Sequence, residues 1–150
     1  MKQILAIISI FFQGYCTFGQ GFEIASTKEE VLQEMHIFYD QMRNVDLTWM
    51  DYLSDDATAV HNGEFINHEK FLESEKHFFN ALTKLEITVL TEPVIHELCN
   101  DAASVTQEHS INIWYKDGKE VKDIHQMLTF LWNKRNGKWK IVHADFTTIN

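Results

Sequence analysis

The chain has 150 residues, 22 of them acidic and 13 basic, for a formal net charge of −9 with histidine neutral. That length holds one ordinary domain, and 45% hydrophobic with 13% aromatic residues is enough to fill a core. The acidic balance excludes a broad nucleic-acid surface, which needs clustered Lys and Arg, and argues against adhesion to anionic lipid.

Met1-Lys2-Gln3 is followed by an apolar run from Ile4 to Phe12 and by the small-x-small sequence Thr17-Phe18-Gly19. A positive start, a short apolar centre and a small exit describe a secretory signal peptide over residues 1–19, cut near Gly19-Gln20. The apolar run is shorter than the roughly 20 residues that span a bilayer. The other reading is a buried N-terminal strand or helix. On the signal reading, residues 20–150 form a secreted or periplasmic domain with no membrane attachment after cleavage. Bulky Tyr15 ahead of Cys16 argues against a lipoprotein. Cys99 then remains alone, with no intrachain disulfide, and reads as a buried strand thiol rather than a nucleophile.

Val31, Leu32, Met35, Phe38, Tyr39 and Met42 recur at helical spacing. Ser26 and Thr27 each stand three residues before a glutamate, a capping-box arrangement. This predicts a helix over about residues 28–43. Asp46 caps a short second helix carrying Leu47, Met50 and Leu53, which Asp55-Asp56 is expected to break. Thr58 to His61 reads as a brief strand, and Asn62-Gly63 as a turn. Asn67 caps a third helix with Phe71, Leu72, Phe78, Phe79 and Leu82 on one face.

The second half reads as strands. Leu85 to Leu90 alternates and ends near Pro93, which marks an edge, a bulge or a bend. Val94 to Cys99 continues or restarts that strand. Ala103 to Tyr115 and Val121 to Asn133 are long and rich in β-formers, with Asp117-Gly118 as a hairpin turn between them. Asn136-Gly137 makes the next hairpin, into Lys138 to Thr148. Helices first and hairpin-connected strands second is an α+β pattern. Three helices must then cover a strongly bent, mostly antiparallel sheet, which leaves a cone-shaped hollow suited to a ligand.

The closing segment, from Thr129 through Trp132 to Gly137, Trp139, Ile141, Val142 and His143, resembles the last hairpin of the NTF2-like superfamily. The nearest branches are SnoaL-like and DUF4440-type domains and the association domain of calmodulin-dependent kinase II. The element order agrees over about residues 27–149. The resemblance implies a cone-like α+β barrel with a pocket between helices and sheet, and a homodimer formed through the sheet. Its members include isomerases, cyclases, epoxide hydrolases and non-catalytic scaffolds, so fold alone names no chemistry. Pocket arginines of the kinase association domain correspond to His109, Phe130 and Phe146 here, which argues against a small carboxylate ligand. The second histidine of that domain's closing pair corresponds to Asp145, preceded by His143. No catalytic aspartate of the isomerases, and no Asp-Arg-Asp set of the epoxide hydrolases, has a counterpart.

A two-residue turn at Asp117-Gly118 pairs Lys116 with Lys119. That register places Val105, Gln107, His109, Ile111, Ile113, Ile124, Gln126, Leu128, Phe130 and Trp132 on one face. This mostly apolar face suits the cavity, and the opposite, more polar face suits solvent or a wet dimer interface. The last hairpin has two registers. A three-residue loop with Gly137 in a bulge puts Val142, Ala144 and Phe146 on the Phe130 face. A two-residue turn puts Trp139, Ile141, His143 and Asp145 there instead. The family alignment favours the Phe146 choice.

The expected pocket residues are Tyr39, His61, Gln107, His109, Gln126, Leu128, Phe130 and Phe146. His109 is the best candidate for acid or base chemistry, with Gln107 and Gln126 to orient a carbonyl or hydroxyl. The plainer reading, and the favoured one, is that His109 bonds Gln126 across the strands and closes a polar gap. His61 belongs at the pocket rim or on an exposed turn. Of the helical aromatics Phe38, Tyr39, Trp49, Phe71, Phe78 and Phe79, most should pack in the core and about two should touch the cavity. The eight histidines show no local metal-ligand spacing, so no metal site is expected. With no phosphate loop, no nucleophile elbow and no reactive-cysteine context, no cofactor is expected either. The leading function is an exported domain that binds a small, largely apolar molecule. The alternatives are a cyclase, isomerase, hydratase or hydrolase using His109, and a non-catalytic association module.

Overall fold

In a computed structural model the described residues are 26–149. The segment read as a signal peptide lies outside them.

Helix α1 spans Thr27–Arg43 and opens with the capping box formed by Ser26 and Glu29. Its apolar stripe buries Val31, Met35, Phe38 and Tyr39. The second expected helix is a 3-10 turn, Leu47–Tyr52, capped by the Asp46 side chain. Strand β1 begins directly after it and spans Leu53–His61, so Asp55-Asp56 lies inside a strand instead of breaking a helix. The pair is tolerated because the register of β1 is irregular between Leu53 and Thr58. Asp56 also accepts two bonds from the Arg135 guanidinium at 2.8 and 3.2 Å and one from Ser54 at 2.7 Å. The Asn62-Gly63 turn leads into β2 (Glu64–Ile66), and α2 follows over His68–Ala81, capped by Asn67.

Strands β3 (Leu82–Val89) and β4 (Val94–Cys99) both pair antiparallel with β5 (Ala102–Tyr115), β3 against its second half and β4 against its first. Pro93 therefore separates two strands on one edge. Strands β6 (Glu120–Arg135) and β7 (Lys138–Thr148) complete the order β2-β1-β7-β6-β5-β3. The contact of β1 with β7 is parallel and the remaining contacts are antiparallel. The result is the expected α+β architecture, a curved and mostly antiparallel sheet wrapped around helices.

Two bulges bend the sheet and correct the expected registers. At the first hairpin Tyr115, not Lys116, closes on Lys119, its N–H donating to the Lys119 carbonyl at 2.9 Å. The loop thus has three residues. An extra residue at Asp123, with φ of 57°, then restores the expected pairing from Ile111–Ile124 through Val105–Phe130. At the second hairpin Arg135 pairs with Lys138 across a two-residue turn, with φ of 53° at Asn136 and 77° at Gly137. Glycine suits this left-handed position because it has no Cβ to clash. The register shifts again beyond Trp132–Ile141, with Val142 as the extra residue. Trp139 and Ile141 therefore face inward near the turn, and Ala144 and Phe146 face inward beyond the bulge. Each expected register is right for one half of the hairpin, and Val142 does not share the Phe130 face.

Phe38 is the hub of the core. Its ring lies edge-on to Trp49, Tyr52, Phe130 and Trp132 at centroid distances of 5.7, 5.7, 5.5 and 6.0 Å. Such pairs add about 0.5–1.5 kcal/mol each beyond the apolar area that they bury. Glu30 ties α1 to the closing hairpin by accepting from Lys134 Nζ at 2.6 Å and Trp139 Nε1 at 2.8 Å.

Candidate functional site

The core does not fill the whole space between α1, α2 and the sheet. A cavity of about 390 Å³ remains, within the roughly 300–1,000 Å³ range of small-molecule sites. Fully buried Tyr39 and His109 mark its floor. Exposed His61 and Ser74 mark its mouth. Turn residue Asn62 places His61 there: its N–H donates to the Phe146 carbonyl and its Oδ1 accepts from the Thr148 N–H, both at 2.9 Å.

Six of the expected pocket residues line the cavity: Tyr39, His61, His109, Gln126, Leu128 and Phe146. Gln107 and Phe130 do not. Phe130 is packed between Phe38 and Phe146. Gln107 lies behind His109, with its Oε1 3.0 Å from His109 Nε2 and its Nε2 donating to the Thr91 carbonyl at 3.1 Å. His109 thus bonds its own strand, not Gln126 across the ladder, and Gln126 is left facing the cavity. His143 Nδ1 lies 2.8 Å from Thr58 Oγ1. Four helical aromatics touch the cavity, Tyr39, Phe71, Phe78 and Phe79, where two were expected. Phe38 and Trp49 belong to the core.

The floor is polar but sparsely partnered. The rings of Tyr39 and His109 meet edge-on at 5.0 Å. Neither Tyr39 Oη nor His109 Nδ1 has a hydrogen-bond partner among the described residues. Burial, assisted by the Arg43 charge, holds His109 down at about 4, so the imidazole is neutral at physiological pH. Burial pushes the Tyr39 phenol above its ordinary range.

Glu75 on α2 was missed by sequence reasoning. Its side chain lines the cavity, and burial lifts its pKa to about 7. The signal was present: Glu75 lies four residues from both Phe71 and Phe79 and three from Phe78, in the middle of the apolar stripe. A carboxylate at such a position must be neutralised, paired or functional. Among the lining residues it is the only acid, and none is lysine or arginine. Among the described residues no three His, Cys, Asp or Glu side chains converge as metal ligands, and no helix is long and apolar enough to cross a membrane.

The SnoaL-like domain model matches residues 31–147. An NTF2-like superfamily protein from Salmonella enterica serovar Typhimurium superposes with a TM-score of 0.70 at 17% identity, over 83% of this chain and 92% of the other. An NTF2-like protein from Cytophaga hutchinsonii gives 0.66 at 18% identity, over 81% and 98%. The association domain of calcium/calmodulin-dependent kinase II from Caenorhabditis elegans gives 0.62 at 19%, over 79% and 93%. At these identities the likeness is one of fold. None of the curated proteins matches the chain significantly in sequence.

Proposed function

The chain belongs to the SnoaL-like domain family and has the NTF2-like fold, and we propose that its cavity binds a small, largely apolar molecule. The observation that carries this reading is an unfilled space of about 390 Å³ walled by aromatic and aliphatic side chains. Two polar atoms without a hydrogen-bond partner among the described residues, Tyr39 Oη and His109 Nδ1, stand at its floor. Ligand sites combine an apolar wall with a few polar groups in this way. An association module would predict a filled interior, so the cavity favours ligand binding. The reading of His109 as a general acid is weakened, because an imidazole that stays neutral down to about pH 4 is not in its acidic imidazolium form at neutral pH.

Two further parts of the proposal rest on other features. The Lys2, Ile4–Phe12 and Thr17-Phe18-Gly19 pattern supports export, which the N-terminal sequence of protein recovered from its native compartment tests. The outer sheet face carries part-exposed polar pairs, such as Thr106 with Thr129 at 3.0 Å. Such a face suits a wet homodimer contact, which sedimentation equilibrium tests.

The ligand reading is tested by calorimetric titration with 4-phenylbutan-1-ol, a neutral apolar alcohol, together with native mass spectrometry of undenatured protein. Saturable binding of one alcohol per chain is expected, weakened tenfold or more by Ile124→Trp at the cavity wall. Absence of saturable binding to the wild-type chain, with no co-purifying mass, overturns the reading.

A further inference from the structure

The cavity is lined by one carboxylic acid, Glu75, and by no lysine or arginine; its two imidazoles are the neutral His109 at the floor and His61 at the mouth, and these facts bear on the chemistry of its ligand. Glu75 makes no hydrogen bond or ion pair among the described residues. The rings nearest to it in sequence, Phe71, Phe78 and Phe79, share its face of α2 and line the same cavity. The faces of aromatic rings attract cations and repel anions. Arg43 is the cation beside the floor, but it is occupied: its Nε donates to the Ile87 carbonyl at 3.2 Å and its NH1 to Asp40 at 3.1 Å.

We propose that the cavity selects apolar amines, with the Glu75 carboxylate pairing the ligand's ammonium group while the aromatic wall encloses its body. The inference rests on the cavity being a ligand site and adds the chemical class of the ligand. Pairing two charges out of water is usually offset by the cost of desolvating both. Here burial has already removed part of the carboxyl's hydration, as its raised pKa of about 7 reflects, while Glu75 stays partly exposed. More of the remaining cost falls on the amine, and aromatic faces repay part of it. A carboxylate ligand meets the opposite situation, a like charge and no lysine or arginine in the wall. The net charge of −9 adds long-range attraction for a cation approaching the mouth.

The test compares three probes of one shape, 4-phenylbutylamine, 4-phenylbutan-1-ol and 4-phenylbutanoate, by calorimetry at pH 7.5 on the wild-type chain and on Glu75→Gln. In the wild type the amine should bind at least tenfold more tightly than the alcohol, and the butanoate more weakly than either. Glu75→Gln should bring the amine down to the level of the alcohol measured on the same variant. Circular dichroism melts confirm that the variant is folded. Equal amine and alcohol binding in the wild type, or an amine preference that survives in Glu75→Gln, overturns the proposal while leaving the cavity a ligand site. Failure of all three probes to bind overturns the ligand-site reading and the proposal together.

Discussion

His109 Nε2 lies 3.0 Å from Gln107 Oε1, two residues back on the same strand and the same face. The amide orientation of Gln107 is set by its own donation to the Thr91 carbonyl, so Oε1 is left as an acceptor only. His109 Nε2 must therefore carry the proton, and Nδ1 is a bare acceptor. A loop residue beside Pro93 thus fixes the tautomer of a buried imidazole through one glutamine.

Replacing Gln107 with leucine removes that constraint. It leaves the Thr91 carbonyl and the His109 N–H without their partner, at a cost of about 1–3 kcal/mol. The imidazole nitrogen shifts of His109, measured by NMR, should move from a single Nε2–H pattern to a tautomer mixture. An unchanged pattern in Gln107→Leu would show that another group sets the tautomer.

Glu75 and His109 make stability slope in opposite directions with pH. His109 is held at about 4 against an unfolded value of 6.5. The unfolded chain therefore binds the extra proton, and the native state loses stability as pH falls from 6.5 towards 4. Glu75 is raised to about 7 from 4.5. The native state binds the extra proton there, and its stability falls as pH rises from 4.5 through 7. In the wild type the slopes offset each other between 4.5 and 6.5. Urea melts should show Glu75→Gln gaining on the wild type as pH rises from 4.5 to 7.5, by up to about 3 kcal/mol. His109→Asn should gain on it as pH falls below 6.5. Parallel pH profiles for wild type and variants would contradict both assignments.

Glu30 is the polar clasp between α1 and the closing hairpin. Its bond to Lys134, more than that to Trp139, holds its carboxyl below the ordinary range. This contribution is present above the unfolded pKa of 4.5 and is lost as pH falls below it. Glu30→Ala leaves the half-buried Lys134 ammonium and the Trp139 N–H unpaired, at a cost of about 1–3 kcal/mol at pH 7. Equilibrium urea unfolding measures it, and the difference from wild type should shrink below pH 4.

Phe38→Ala removes the hub of the aromatic core. The expected loss is about 3–5 kcal/mol, from lost transfer energy and from the hole left among Trp49, Tyr52, Phe130 and Trp132. Phe38→Leu should retain more than half of that. A loss under 1 kcal/mol for the alanine variant, by the same unfolding measurement, would mean that the core re-packs around the hole.

Much of the architecture is legible in local pattern. The helical stripe from Val31 to Met42, the Ser26–Glu29 box and the strand runs with Asn-Gly and Asp-Gly turns each encode an element within a few residues. These signals depend on neighbours in the chain, as side-chain period and capping do. The inward face of β5 and β6 also follows from alternation, although the turn at Asp117-Gly118 is one residue longer than expected. The bulge at Asp123 cancels that error.

What the tertiary structure alone decided is where strands add a residue and which buried polar groups find each other. The bulges at Asp123 and Val142 answer to the curvature the sheet needs to wrap α1 and α2, and no local motif states that curvature. Gln107 lies beside His109 in the alternation, yet only the loop between β3 and β4 brings the Thr91 carbonyl within its reach and holds its amide outside the cavity lining. Glu75 stood in an apolar stripe from the start. The sequence showed a carboxylate where a core residue belongs. Whether it would be paired, exposed or left facing the cavity depended on every element packed around it, because desolvation is a property of the surroundings and not of the residue.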